Sequence, residues 1–232
     1  MHVWRISIDA EVPPGPYWTV LSPAEQARAL RFHRPAQQAA YVLAHGAMRT
    51  ILAAYERLLP VDLRFETAPL GKPTLERTAE GRLEFNLSHS GNLALLAVER
   101  DRAVGVDIER WNADMAHIDV AERYFSRVEC DALRSFAGAP DRIVEGFFSV
   151  WSRKEAYLKA TGHGVSRGLD HFDVSLTPGE PAALIADRKD ADAPLRWTMV
   201  TLAAGAGYSA ALVVAAPASE IALFDAPAPG AA

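Results

Sequence analysis

The stretch GVDIERW, residues 105–111, places two acids, Asp107 and Glu109, one residue apart at the end of an apolar run. On a β-strand successive side chains face opposite ways, so these carboxylates share a face while Val106 and Ile108 take the other. Two readings fit: a solvated strand face paired with neighbours such as Arg110, or a site for a hard divalent cation. Mg²⁺ takes oxygen ligands, typically one or two carboxylates completed by substrate phosphates and water. The segment WSRKEAYLKATGHG, residues 151–164, adds Glu155 and Lys159 at helical i, i+4 spacing. They could form an ordinary surface ion pair. However, Trp151 and Leu158 share their stripe and mark it as inward-facing, where unpaired charges are costly. A metal and a phosphate would supply partners for both.

FNLSHSG, residues 85–91, sets His89 between Ser88 and Ser90. A Ser-His hydrolase fits poorly, because adjacent strand residues face apart and no G-x-S-x-G elbow is present. A phosphate-binding turn using Ser88, His89 and backbone N–H groups suits the residue types, as does a plain serine turn. PLGKPTL presents Lys72 from a rigid turn. Arg28 and Arg31, three apart near a helix end, form either a second anion contact or a solvated basic face. No P-loop, H-E-x-x-H or paired C-x-x-C motif occurs.

These residues need elements to hold them. HVWRISI alternates with Trp4, Ile6 and Ile8 on one face and predicts a strand. Ser22, Pro23 and Glu25 form a helix start with a capping box, and a second helix is expected from Gln37 to about Arg57, with Tyr41, Met48, Leu52 and Tyr55 inward. Strands follow in LRFETA, RLEFNLS, LALLAVE and AVGVDIE. The second half repeats the order: a Ser126/Glu129 capping box, a long helix ending at Gly162, then strands in HFDVSL, LRWTMVTL, YSAALVVA and IALFD. GNLALLAV at 91–98 matches GYSAALVV at 207–214 in pattern, which makes a duplicated α+β unit plausible.

The chain has 232 residues, half of them hydrophobic, which suits one large soluble domain or two small ones. Its single cysteine, Cys130, rules out an internal disulfide framework. Without a secretory leader or a bilayer-length apolar run, the expectation is a cytoplasmic protein with no membrane contact. The net charge of −5 does not favour nucleic acid, so an anionic ligand needs a local cationic cluster.

In order along the chain, GKP, FNLSHSG, GVDIE and FSVWSRKEAYLKATGHG resemble the motif set of 4′-phosphopantetheinyl transferases of the Sfp type, and RYFSRVE is similar too. The match runs from about residue 21 to 173, and its specificity lies in the ordered combination. The resemblance implies an α+β pseudo-twofold duplicated fold, each half a small antiparallel sheet packed with helices. The division expected is 1–104, 105–225 and a flexible tail at 226–232. The resemblance further implies Mg²⁺ held by Asp107, Glu109 and Glu155, and coenzyme A contacted by Lys72, Ser88, His89, Lys154 and Lys159, with Arg28 and Arg31 near its 3′-phosphate. Asp107 would serve both groups. The implied reaction moves the phosphopantetheine arm to a serine of an acyl or peptidyl carrier protein, releasing adenosine 3′,5′-bisphosphate. Glu155 would act as general base, and Lys159 and His89 would stabilise phosphoryl charge. Residues 111–125 and the loop after Gly162 would meet the carrier, and two fused halves would let a monomer complete the site. A Mg²⁺-dependent phosphohydrolase and a non-catalytic coenzyme A- or carrier-binding module are the competing classes.

Overall fold

The computed structural model describes residues 1–9, 14–76, 81–115, 117–164, 168–177, 179–217 and 220–227. Helices are α1 Gly15–Trp18, α2 Pro23–Ala29, α3 Pro35–Glu56, α4 His117–Tyr124, α5 Arg127–Arg134, α6 Pro140–Thr161 and α7 Ala193–Arg196. Strands are β1 His2–Ser7, β2 Phe65–Thr67, β3 Pro73–Leu75, β4 Leu83–Ser90, β5 Leu93–Arg100, β6 Val104–Arg110, β7 Phe172–Val174, β8 Leu184–Asp187, β9 Trp197–Thr201, β10 Tyr208–Ala215 and β11 Ala222–Asp225. Two sheets dominate, ordered β11-β1-β5-β4 and β6-β10-β9, with the small hairpins β2-β3 and β7-β8 beside them.

The layers follow from alternation. Ile6, Phe85, Leu96 and Val98 turn toward α3, meeting Tyr41, Met48 and Leu52 in one core. On the reverse of that sheet, Val3, Leu95 and Ala97 meet Val106, Ile108 and Leu212 of the second sheet. The far face of the second sheet gives Ala211 and Val213 to α6, which answers with Phe147, Val150 and Tyr157. The order is therefore helix, sheet, sheet, helix, with three apolar seams. The duplication is visible in β5 and β10, each central in its sheet and each entered through a glycine in the left-handed region, Gly91 and Gly207.

Both predicted capping boxes form: Ser22 with Glu25, and Ser126 with Glu129. Gly162 stops α6 in the left-handed conformation that a side chain disfavours. The division at 104/105 needs one correction. Ala222–Asp225 lies in the first sheet, parallel to β1 and next to it, although it follows the second half in sequence. Ala226 packs on the first core and Pro227 accepts a hydrogen bond from Tyr17, so these two residues of the expected tail are seated; 228–232 lie outside the described residues.

Glu25 ties α2 to α3. Burial raises its pKa, but the His45 ring 3.6 Å away, the Ser22 hydrogen bonds and the buried Arg49 guanidinium at 3.0 Å outweigh burial and hold the carboxyl at about 2. A folded-state pKa below the unfolded value of 4.5 gives stability that is complete above pH 4.5 and lost as pH falls toward 2. Glu25→Gln should therefore cost about 2 kcal/mol at pH 7, after allowance for solvent screening. Urea midpoints of variant and wild type should converge near pH 2.

Candidate active site

β6 carries the acids. Val104, Val106 and Ile108 fill the seam between the sheets, which leaves Gly105, Asp107 and Glu109 toward α6. Gly105 sets the distance: a Cβ there would sit 2.2 Å from the Ala156 carbonyl oxygen and 2.3 Å from the Ala160 nitrogen. Only a residue without a side chain lets the α6 backbone lie this close to β6.

That approach brings Lys159 to Asp107, Nζ to Oδ1 at 2.6 Å, and the same ammonium donates to Ser88 Oγ at 2.9 Å. Ser88 in turn donates to Asp107 Oδ1 at 2.8 Å. Asp107 is 3% exposed, and its second oxygen, Oδ2, is buried with no hydrogen-bond partner. Glu109 and Glu155 are half-buried nearby. Burial first, then the Asp107 charge, pushes Glu109 up to about 7, and the same two causes raise Glu155. Burial also raises Asp107 against the pull of Lys159. Three acids with one ammonium thus hold surplus negative charge that a divalent cation would match.

β4 lies beside β6 without a backbone ladder; side chains make the joint. Asn86 Oδ1 accepts the Val106 N–H at 2.8 Å, Ser88 meets Asp107, and Ser90 donates to Glu109 Oε2 at 3.0 Å while accepting the Arg110 N–H at 3.0 Å. Asn86 and Ser90 were not among the expected site residues. The signal was N-x-S-x-S, polar residues at a spacing of two inside an otherwise apolar strand.

His89, the next residue after Ser88, points the other way and is exposed. It lines a cavity of about 350 Å³ with Phe32, Gln37, Tyr41 and Asn92. The Arg28 guanidinium lies over the Tyr41 ring at 5.6 Å, and the Arg31 charge also acts on that tyrosine. The strand end of β4 thus divides the carboxylate cluster from a cavity with His89, Arg28 and Arg31 at or near it. Lys72 stands apart from both, donating to the Val104 carbonyl at 2.7 Å, at the opposite end of β6 from Glu109.

Lys154 is a correction. Its ammonium is fully buried and pairs with a different acid, Glu129, at 2.8 Å from Oε2, and donates to the carbonyls of Leu169 at 2.7 Å and Phe172 at 2.5 Å. An ammonium has three donors, and all three are used. None remains for a ligand.

Two family models cover most of the chain: "4′-phosphopantetheinyl transferase, N-terminal" matches residues 17–101, and "4′-phosphopantetheinyl transferase superfamily" matches residues 103–213. The 4′-phosphopantetheinyl transferase HetI of a Nostoc species is 40% identical over 186 residues, spanning 79% of this chain and 77% of that one. The chain belongs to the 4′-phosphopantetheinyl transferase family. The 4′-phosphopantetheinyl transferase Sfp of Bacillus subtilis is 29% identical over 69% of this chain and 68% of its own. The mouse L-aminoadipate-semialdehyde dehydrogenase-phosphopantetheinyl transferase is 27% identical over 75% and 60%. As a 4′-phosphopantetheinyl transferase, this protein is an enzyme, and its α+β architecture is the one the motifs implied. Among the described residues no helix is long and apolar enough to cross a membrane.

Proposed function

We propose that this transferase moves the phosphopantetheine arm from coenzyme A to a serine hydroxyl of an apo acyl or peptidyl carrier protein, with Mg²⁺, releasing adenosine 3′,5′-bisphosphate. The observation that carries the reading is the orphaned Asp107 Oδ2, buried among surplus carboxylates. Among the described residues no three of His, Cys, Asp or Glu form a ready-made metal cage. Mg²⁺ does not require one, because it usually keeps waters and shares substrate phosphates. Asp107 would hold it, with Glu109 and Glu155 beside it. When bound, it would neutralise charge on the pyrophosphate and orient that group.

The protein's own groups do the rest. Glu155, its pKa raised by burial, is suited to take the proton of the carrier serine, directly or through water. The serine oxygen forms a bond to the β-phosphorus as the bridging bond breaks, and the electron pair leaves with adenosine 3′,5′-bisphosphate. Lys159 is placed to follow the phosphoryl oxygens. His89, Arg28 and Arg31 would receive the nucleotide end through the adjoining cavity. The carrier would meet α4, where Tyr124 is exposed and packs edge-on to Trp151, with Trp111 at the end of β6. Gly162 to Gly164 would join this surface; residues 165–167 lie outside those described. Both halves of one chain supply side chains to the cluster, which is compatible with the proposed monomer; the cytoplasm is its proposed compartment.

The test is a mass measurement on apo carrier proteins from fatty acid, polyketide and nonribosomal peptide synthesis after incubation with coenzyme A and Mg²⁺. A phosphopantetheine adduct that EDTA abolishes supports the reading. No adduct on any carrier overturns it, and coenzyme A turnover without a carrier would indicate a hydrolase.

A further inference from the structure

We infer that Ser90 is a positioning residue for the cation-binding carboxylates: held by the backbone of β6, its hydroxyl fixes the orientation of Glu109. This inference rests on the proposed Mg²⁺ site.

A serine hydroxyl has one proton to donate and two lone pairs. At Ser90 the proton goes to Glu109 Oε2 and a lone pair receives the Arg110 N–H, both at 3.0 Å. The two partners are neighbours on one strand. Ser90 therefore grips the β6 backbone and the carboxylate projecting from it at once, which removes the freedom of its own rotor and of the acid.

Two residues earlier on both strands the contact repeats, Ser88 to Asp107. The strands thus run side by side in matched register, serine to acid and serine to acid. The two serines differ in one respect that makes the inference testable. Ser88 also receives the Lys159 ammonium, so its loss would disturb lysine and aspartate together. Among the described residues the Ser90 hydroxyl bonds only to Glu109 and the Arg110 amide, so its loss leaves Lys159 and Asp107 untouched. Residues that orient a metal ligand through a hydrogen bond commonly change metal affinity tenfold or more when removed.

The experiment titrates Mn²⁺ into the complete protein without coenzyme A or carrier, reading free Mn²⁺ by electron paramagnetic resonance. Ser90→Ala should weaken Mn²⁺ binding by about tenfold. Ser90→Thr, which keeps the hydroxyl, should bind close to the wild type, and melting in EDTA should be alike for all three. Placed on a Glu109→Gln background, Ser90→Ala should weaken binding no further. A Ser90→Ala protein that binds as the wild type does, or a Ser90→Thr protein as weak as the alanine variant, overturns the inference. So does an equal loss on both backgrounds, which would make Ser90 a general support of the fold. Wild-type protein that takes up no Mn²⁺ removes the cation site and this inference together, while the carrier-mass assay reads phosphopantetheine transfer separately.

Discussion

Asp107→Asn should lower kcat/KM for phosphopantetheine transfer by at least about a hundredfold, and leave the protein in EDTA as stable as before or slightly more so. The first half follows from the proposed cation site: losing even an outer partner of a metal ligand costs ten- to a hundredfold, and of the three acids there Asp107 is the one with a buried oxygen that has no hydrogen-bond partner. The second half follows from electrostatics. Burial disfavours the Asp107 anion more than Lys159 and Ser88 favour it, so its pKa is raised and its charge costs stability in the fold. Removing that charge relieves Glu109 and Glu155 as well, since both are raised by Asp107. Lys159 keeps Ser88 and a side chain 28% exposed, so it is not stranded. Thermal melts with and without Mg²⁺ and coenzyme A give the check: the ligand-induced rise expected of the wild type should vanish in the variant. A variant that melts well below the wild type in EDTA would make Asp107 a structural acid instead.

Lys154→Met should produce the opposite pattern, a large loss of stability with the coenzyme A Michaelis constant unchanged. Lys154 and Glu129 are both fully or nearly fully buried, at 0% and 2% side-chain exposure. Glu129 also accepts the N–H groups of Ser126 and Val174, so the pair fastens α5, α6 and β7 at one point. Removing one partner of a buried pair leaves an uncompensated charge and costs about 3–5 kcal/mol. At this chain length that is roughly a 10 °C drop in Tm. The double variant Glu129→Gln, Lys154→Met should recover part of the loss, because no lone charge remains. Kinetics well below the transition would show a raised coenzyme A Michaelis constant if Lys154 touched the substrate.

Lys154 also shows where sequence reasoning stops. Its neighbour Glu155 does face the acids, but one residue on a helix is a rotation of about 100°, which is enough to carry Lys154 into another core. The motif marked the helix and the strand; it could not say which lysine completes a salt bridge underneath. The capping boxes, the alternation in β1 and β6 and the Gly162 stop were legible because each is decided within a few residues. The seat of β11 on β1 was not, since its register is set by a partner some 220 positions away in the chain, Arg5 against Asp225. Asn86 and Ser90 are illegible in the sequence for a different reason. A polar residue on a strand normally signals solvent, and here it signals a second strand joined through side chains.

That side-chain joint bears on aggregation as well as on the proposed cation site. β4 and β6 are each the last strand of their sheet, and a terminal strand offers unpaired N–H and C=O groups that can recruit a foreign chain. Asn86 takes the Val106 amide and Ser90 the Arg110 amide, so polar side chains cap the margin of β6 where a backbone ladder would otherwise extend the sheet. The row of side chains that meets the acids also protects the border of the second sheet against aggregation.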